Sequence, residues 1–287
     1  MNTLDESRLE EALRGVSIPS CPAVLTELMA ELRKPMANGK RVAQLIGQDV
    51  GLAALVVRSA NSPLFGSGRA IGSIADAVRL LGFGTLTNLV HEGLLRSVVG
   101  TGHASLERFW DSSAHTAAVS AELAATLGGT TRDTAHTFGL FHDCGIPLLV
   151  QRFPDYKTVL GLANAAPTRC FTDIEDEALN TNHAVIGYFL TRAWGLPETV
   201  SAAILRHHHY HVLHDGEGLP DEARALIALN AIAEHVVGQY LRVRQDVEWG
   251  KSRELVAAYF GLAPGELDDL ADDVLYRLDE RRNREAD

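Results

Sequence analysis

Cysteine is scarce: the 287-residue chain carries three, Cys21, Cys144 and Cys170. An odd number at wide spacing excludes a disulfide framework and a cysteine-built zinc site. Long apolar runs are missing as well, so no segment is expected to cross a bilayer. The opening residues Met1-Asn2-Thr3-Leu4-Asp5-Glu6 are acidic where an export signal is basic and then apolar. The expectation is a cytoplasmic protein with no membrane partner. Positive charge is outweighed, with 26 Lys and Arg against 37 Asp and Glu and a net charge of -11. That balance opposes nonspecific attraction to phosphate backbones, so no nucleic-acid partner is expected. There is no alternating strand pattern of useful length, no internal repeat, and Asn38-Gly39-Lys40 is not a phosphate loop. No receiver, DNA-binding or kinase segment is recognisable, so any input is expected from a partner or a small ligand.

What is present is a globular composition, 46% hydrophobic and 22% charged, in a chain long enough for one large domain or two packed subdomains. Helical periodicity runs throughout. A short charged helix is expected at 5–15, then helices at 23–33, 40–48 and 50–60, with Asp49 as the cap of the last. Ser73 and Asp76 resemble a capping box for a helix ending at Gly82, and another helix follows at 85–98. Phe65 and Trp110 read as core anchors. Gly100-Thr101-Gly102 is the expected subdomain boundary. An alanine-rich helix at 106–127 has the small residues of a central element. Asp133 is read as opening the next helix, and further helices are expected at 153–163, 173–194, 197–208, 221–243 and from 251 to the end. The fold class is all-α.

The chain's chemistry gathers around Phe138-Gly139-Leu140-Phe141-His142-Asp143-Cys144-Gly145, an apolar run ending in adjacent imidazole and carboxylate. Buried polar groups need partners. Asn182-His183 and His207-His208-His209 are the candidates to meet them. Successive helical side chains point 100° apart, so two of the triplet, His207 and His208, can face one site, leaving His209, His211 and His214 toward solvent. The structural alternative is a metal-free, hydrogen-bonded His142–Asp143 pair, with His183 as a capping or core residue. Cys144 has no basic neighbour and reads as packing.

A His-Asp doublet followed by His and then His-His resembles the HD phosphohydrolase superfamily. The likeness narrows upstream. Ile18-Pro19-Ser20-Cys21-Pro22-Ala23-Val24, Leu45-Ile46-Gly47-Gln48-Asp49, Arg58-Ser59-Ala60-Asn61-Ser62-Pro63-Leu64-Phe65-Gly66, Ile71-Gly72-Ser73-Ile74-Ala75-Asp76-Ala77, Leu80-Leu81-Gly82-Phe83-Gly84-Thr85-Leu86 and Phe109-Trp110 resemble the HDOD (HD-related output) domain. The match spans residues 18 to 215. It implies a multi-helix fold with a leading helix at 1–17, an N-terminal helical subdomain at 18–100 and, packed against it, an HD-like subdomain with a helical extension at 101–287.

For chemistry, the resemblance implies a divalent transition metal, manganese, iron, nickel or zinc, held by His142, Asp143, His183, His207 and His208. Three departures weaken that set. Ser112 stands where the family has its first histidine, with His115 one turn further on. Asn230 stands where it has a closing aspartate. Ile146 replaces a lysine of the related HD-GYP phosphodiesterases. Asp215-Gly216-Glu217-Gly218-Leu219-Pro220 looks like the HD-GYP signature loop with Leu219 for its tyrosine, although such residues are common in turns. The reading is therefore a non-catalytic bacterial signal-transduction protein with a vestigial site and no cofactor, acting through contacts with signalling proteins. The alternatives are a metal-dependent phosphohydrolase acting on a nucleotide or cyclic dinucleotide, and a nucleotide sensor without turnover.

Overall fold

The computed structural model describes residues 16–19, 21–62, 65, 71–99, 104–215, 218–242 and 246–286. Among them every regular element is a helix, and none is long and apolar enough to cross a membrane. The helix expected at 5–15 lies outside the described residues. The chain folds as two compact units, one of residues 19–101 and one of residues 1–18 with 102–287.

The smaller unit holds α1 (Ala23–Leu32), α2 (Gly39–Ile46), α3 (Val50–Ala60) and α4 (Ile74–Val99). Each helix start has a local cause. Asn38 accepts from the N–H groups of Lys40 and Arg41, and Asp49 accepts from Leu52 N–H at 2.8 Å. Ser73 accepts from Asp76 N–H and donates to its carboxylate at 2.6 Å. Gly82, at φ 72° and ψ 169°, breaks α4 internally, in backbone that only glycine adopts without strain. The stop expected there is a kink, and the helix resumes at once. Leu28, Val42, Ile46, Val56, Leu86, Val90 and Leu94 are fully buried and form this unit's core.

The larger unit contains α5 (Ala104–Leu127), α6 (Arg132–Phe141), α7 (Ile146–Arg152), α8 (Tyr156–Asn164), α9 (Phe171–Leu179) and α10 (His183–Ala193). It continues through α11 (Glu198–Arg206), α12 (Val212–Asp215), α13 (Asp221–Tyr240), α14 (Val247–Phe260) and α15 (Pro264–Ala286). Its hub is α13 rather than α5. The alanines of α13 bring α5, α6, α11, α14 and α15 against it, and residues 225–233 are buried without a break. Its alanines, with Asn230 set among them, leave no polar stripe at mid-length, as expected of a helix enclosed on every side. The C-terminal helix is tied back to α5 by Arg277 and Arg281, which both reach the Glu122 carboxylate.

Several boundaries differ from the periodicity reading. Thr131, not Asp133, caps α6, its hydroxyl accepting from Thr134 N–H. The helix expected at 173–194 is two, because Asn180 adopts the left-handed conformation at φ 56° and Asn182 starts a new helix by accepting from Val185 N–H. Asparagine tolerates that conformation better than other residues with a Cβ. The terminal stretch is also two helices, separated by left-handed Gly261. Trp110 is buried and Phe65 half-buried.

Candidate metal centre

The doublet lies at a helix end. His142 closes α6, and Asp143, Cys144 and Gly145 form a tight turn in which Cys144 N–H bonds Phe141 O and Ile146 N–H bonds Asp143 O, each at 2.9 Å. This turn is pressed onto the start of α10. A Cβ on Gly145 would sit 2.1 Å from the His183 carbonyl oxygen, so only glycine permits the approach that brings Asp143 to His183. His183 is the first residue of α10, positioned by the Asn180–Asn182 break. Asn182 caps the helix and also donates to Asp176 at 2.9 Å. His207 and His208 follow the last residue of α11. Three chain reversals, not one helix face, therefore bring the ligands together.

The groups converge closely. His183 Nε2 lies 3.2 Å from both His207 Nε2 and His208 Nε2, and 3.3 Å from Asp143 Oδ1. His207 Nε2 is 3.5 Å from the same oxygen, and one donor atom from each of the four residues lies within 4.8 Å of the rest. The other Asp143 oxygen is 3.4 Å from His142 Nε2, which is also 3.4 Å from Glu234 Oε1.

The outer ring nitrogens decide what this cluster can do. His142 Nδ1 lies 2.8 Å from Gly139 O, and His207 Nδ1 lies 2.7 Å from Ile204 O. A carbonyl only accepts, so both Nδ1 atoms carry the proton. His183 Nδ1 donates to Glu175 at 2.6 Å, and His208 Nδ1 to Glu248 at 3.0 Å. Each neutral ring then presents its Nε2 lone pair inward. The His183 lone pair, 3.2 Å from those of His207 and His208, is repelled by them unless a cation lies among them, either a proton or a metal ion. Ligands of a first-row metal at about 2.0–2.2 Å stand roughly 3.0–3.4 Å apart, depending on geometry, so the separations fit. The outward hydrogen bonds are those that orient metal-bound histidines.

Two glutamates, one buried and one half-buried, complete the frame. Glu175, fully buried, accepts from Tyr156 OH, from His183 Nδ1 and from His183 N–H at 3.2 Å. Glu248 accepts from Tyr210 OH at 3.2 Å and pairs with Lys251. Phe171 stacks on His208 with centroids 4.6 Å apart and meets His183 edge-on.

The electrostatics follow. Burial pulls the His183 pKa down, but Glu175 first and Asp143 with it outweigh that and hold it at about 10. Burial and the neighbouring His207 push His208 down to about 4, against the pull of Glu248. Burial raises Asp143, yet the surrounding imidazoles, led by His142, hold it well below the usual carboxylate range. His142 is held well above the usual range by Asp143 and Glu234 despite its burial. In the metal-free protein a proton on His183 occupies the place where a metal would offset the same lone pairs.

The remaining sequence candidates lie elsewhere in this unit. His115 bonds Asp111 O on its own helix at 2.6 Å and packs on Tyr240, outside the cluster. Ser112 is half-buried on α5 and is not among the clustered ligands. Asn230 is buried, donates to Glu234 at 2.9 Å and leaves Oδ1 unpaired. Burial raises the Cys144 thiol, and its Sγ faces Gly187 O, in keeping with a packing role. His211 and His214 are exposed, but His209 is half-buried, because the triplet leaves the helix before it. Gly216 and Glu217 of the signature-like loop lie outside the described residues.

Glu175, Glu234 and Glu248 were not read from sequence. For Glu175 a signal exists: it falls on the apolar face with Phe171, Ile174 and Leu179, where an acid needs a partner.

Comparison with known proteins gives the family and the fold. An HDOD domain protein of unknown function from Geobacter sulfurreducens has a solved structure with 25% identity and a TM-score of 0.67, covering 96% of this chain and 98% of that one. A proposed phosphohydrolase from Shewanella amazonensis superposes with a TM-score of 0.70 at 24% identity, covering 93% of each chain. An uncharacterized protein of Treponema pallidum is 25% identical over 226 residues, 77% of this chain, and the chain spans 42% of that relative's length. Residues 18–210 match the HDOD domain, and the chain belongs to the HDOD family, a relative of the HD phosphohydrolases.

Proposed function

We propose that this chain is a regulatory HDOD module in signal transduction, cytoplasmic, whose His/Asp centre holds one divalent transition metal ion through Asp143, His183, His207 and His208. The observation that carries the reading is the set of three outward hydrogen bonds, from the Nδ1 atoms of His183, His207 and His208, that leave each Nε2 lone pair facing the cluster shared with Asp143. Three imidazoles and a carboxylate suit zinc, iron or nickel, with manganese a weaker fit. When bound, such an ion supplies Lewis acidity and lowers the pKa of a coordinated water.

The protein's own residues favour a regulatory role over turnover. Four protein ligands fill a tetrahedral shell, the arrangement of structural metal sites. Ser112 and Ile146 leave the centre without the extra imidazole and the cation that phosphate chemistry uses. Output then runs through contacts of the helical surface with signalling proteins, residues 18–100 and 101–287 acting as its two parts.

One observation favours hydrolysis instead. Asp143 and Glu234 are a quarter and a third exposed while the three inner histidines are sealed, so a phosphate ester or nucleotide has a side from which to reach the centre. The discriminating experiment loads the full chain with zinc, iron, nickel or manganese and assays an activated phosphodiester and cyclic dinucleotides. Stoichiometric metal without turnover is expected. Turnover that disappears in Asp143→Asn overturns the regulatory reading, and nucleotide binding without turnover makes the centre a sensor.

A further inference from the structure

We propose that the groove between α8 and α9 is the docking surface for a basic amphipathic helix of a partner protein, and that its occupancy is coupled to the His/Asp centre through those two helices. The docking surface stands on the groove itself, and the coupling rests on the metal reading proposed above.

Val159 and Leu162 of α8, Ala166 just beyond it, and Ile174 and Ala178 of α9 line an opening of about 470 Å³. Val159 and Ile174 form its floor, at 8% and 9% exposure, whereas Leu162 stands 61% exposed at its side. A lone exposed leucine is ordinary. One beside an open apolar floor extends that floor into a contiguous patch, the mark of a contact surface.

The rim decides what fits. Arg169 and Glu177 stand at the mouth, paired at 2.5 Å and 46% and 69% exposed. Asp173, exposed one turn before Glu177, acts on the same guanidinium, so one cation faces two carboxylates. The mouth is therefore net negative on a chain already at -11, which favours an occupant with cations beside its apolar side chains. Two nine-residue helices give the groove a length of roughly 13 Å, enough for anchors at i, i+4 and i+7 of a third helix laid along it. A second copy of this chain fits less well. A face roughly 13 Å long and about 20 Å, or two helix diameters, wide falls short of the about 800 Å² per partner of a stable dimer.

The inward faces of the same two helices hold the cluster. Tyr156 of α8 donates to Glu175 of α9, and Glu175 accepts from His183 Nδ1 at 2.6 Å. Phe171, the first residue of α9, stacks on His208. Arg169 O, at the groove mouth, accepts from Lys251 Nζ at 2.7 Å, and Lys251 pairs with the Glu248 carboxylate that holds His208. Ile174 of the floor immediately precedes Glu175, and Val159 lies one turn after Tyr156. A helix seated on Val159 and Ile174 thus bears on the two residues that set the His183 ring. Whatever factor it imposes on metal affinity, bound metal imposes on its own affinity.

The test uses the full chain and two fluorescent peptides of about 18 residues, long enough to hold a helix. Both carry leucines at i, i+3, i+4 and i+7 spacing, one with lysine and one with glutamate at the other positions. Anisotropy is expected to show the lysine peptide bound one to one by the metal-free chain, and the glutamate peptide unbound. Leu162→Lys is expected to weaken binding by at least about tenfold, as loss of an interface anchor does. Leu241→Lys makes the same charge change at another exposed leucine, outside the groove, and is expected to stay within about twofold. With the lysine peptide bound, zinc affinity is expected to change by at least about fivefold in the parent and not in Leu162→Lys. No binding of the lysine peptide, equal binding of both peptides, or equal loss in both variants overturns the docking surface. A parent that sediments as a dimer, which Leu162→Lys dissolves, gives the groove to a second copy and overturns the partner helix. Peptide bound with zinc affinity unchanged overturns the coupling alone. Peptide bound by a chain that takes up no zinc overturns the metal reading and the coupling with it, and leaves the docking surface standing.

Discussion

Glu175→Gln is the most informative single change. The side chain is fully buried and accepts three donors, one on Oε1 and two on Oε2. Glutamine keeps the shape but turns one acceptor into an NH2 group. Tyr156 can reverse its hydroxyl and accept from that group, whereas His183 Nδ1–H and N–H can only donate. The amide oxygen must therefore stay toward His183. The hydrogen bond survives, but it loses its ionic character, which roughly halves its strength, and His183 Nε2 loses the carboxylate that makes it a stronger base. Outer-shell changes of this kind cost about 10- to 100-fold in metal affinity, or roughly 1.4–2.7 kcal/mol. The parallel change Tyr156→Phe leaves the carboxylate in place with two donors. It is expected to cost about 1 kcal/mol of fold stability and less than about tenfold in affinity. The assay is competition for zinc with a chromophoric chelator, with urea unfolding of the metal-free proteins alongside. A Glu175→Gln protein that folds and binds zinc within twofold of the parent refutes the orienting role given to Glu175.

Gly145→Ala places a methyl group 2.1 Å from a backbone oxygen that helix α10 holds in place, so the turn must move away from His183. Loss of about 1–3 kcal/mol in urea unfolding and a weakened zinc equivalent are expected, and an unchanged midpoint contradicts the close approach. His183 titrates near 10 against 6.5 unfolded, so its proton stabilises the metal-free fold fully below about pH 6.5. That contribution disappears as pH rises through 10, and metal-free stability measured by urea unfolding should fall across this window. At pH 7.5 metal entry must expel the His183 proton, and calorimetry in buffers of different ionisation enthalpy should show one proton released per ion bound. His115→Ala, removing a ring bonded to its own helix, should leave metal content unchanged; loss of metal would mean that α5 supplies a ligand.

The helices were legible where local chemistry writes them. Asp49 and the apolar face of 50–60 define α3 without reference to anything distant, and observed bounds and expectation coincide. The 173–194 stretch misled because Asn180-Thr181-Asn182 contains neither glycine nor proline, and an asparagine in the left-handed region leaves little trace in a periodicity pattern. That break matters, since it makes His183 the first residue of α10, in keeping with the reading of His183 as a residue near a helix start. The histidines and Asp143 stood out as unusual polar residues ending apolar runs. Their glutamate partners did not, because an acid on a helix is ordinarily solvated; for Glu175, at 0% exposure, the one trace in the sequence is its place on the apolar face with Phe171 and Ile174. The weight given to Ser112 and Asn230 came from aligning single positions. It could not register Glu234, one turn along α13, whose Oε1 lies 3.4 Å from His142 Nε2.

The central claim is most directly tested by the metal content of the full chain, purified without chelator or affinity-tag metal, beside a His183→Ala variant confirmed to fold. The account predicts at least one equivalent of a first-row transition metal in the parent and its loss in the variant. A parent that remains metal-free after incubation with zinc, iron, nickel and manganese would contradict it, leaving His142, His183, His207 and Asp143 as a proton-sharing polar core.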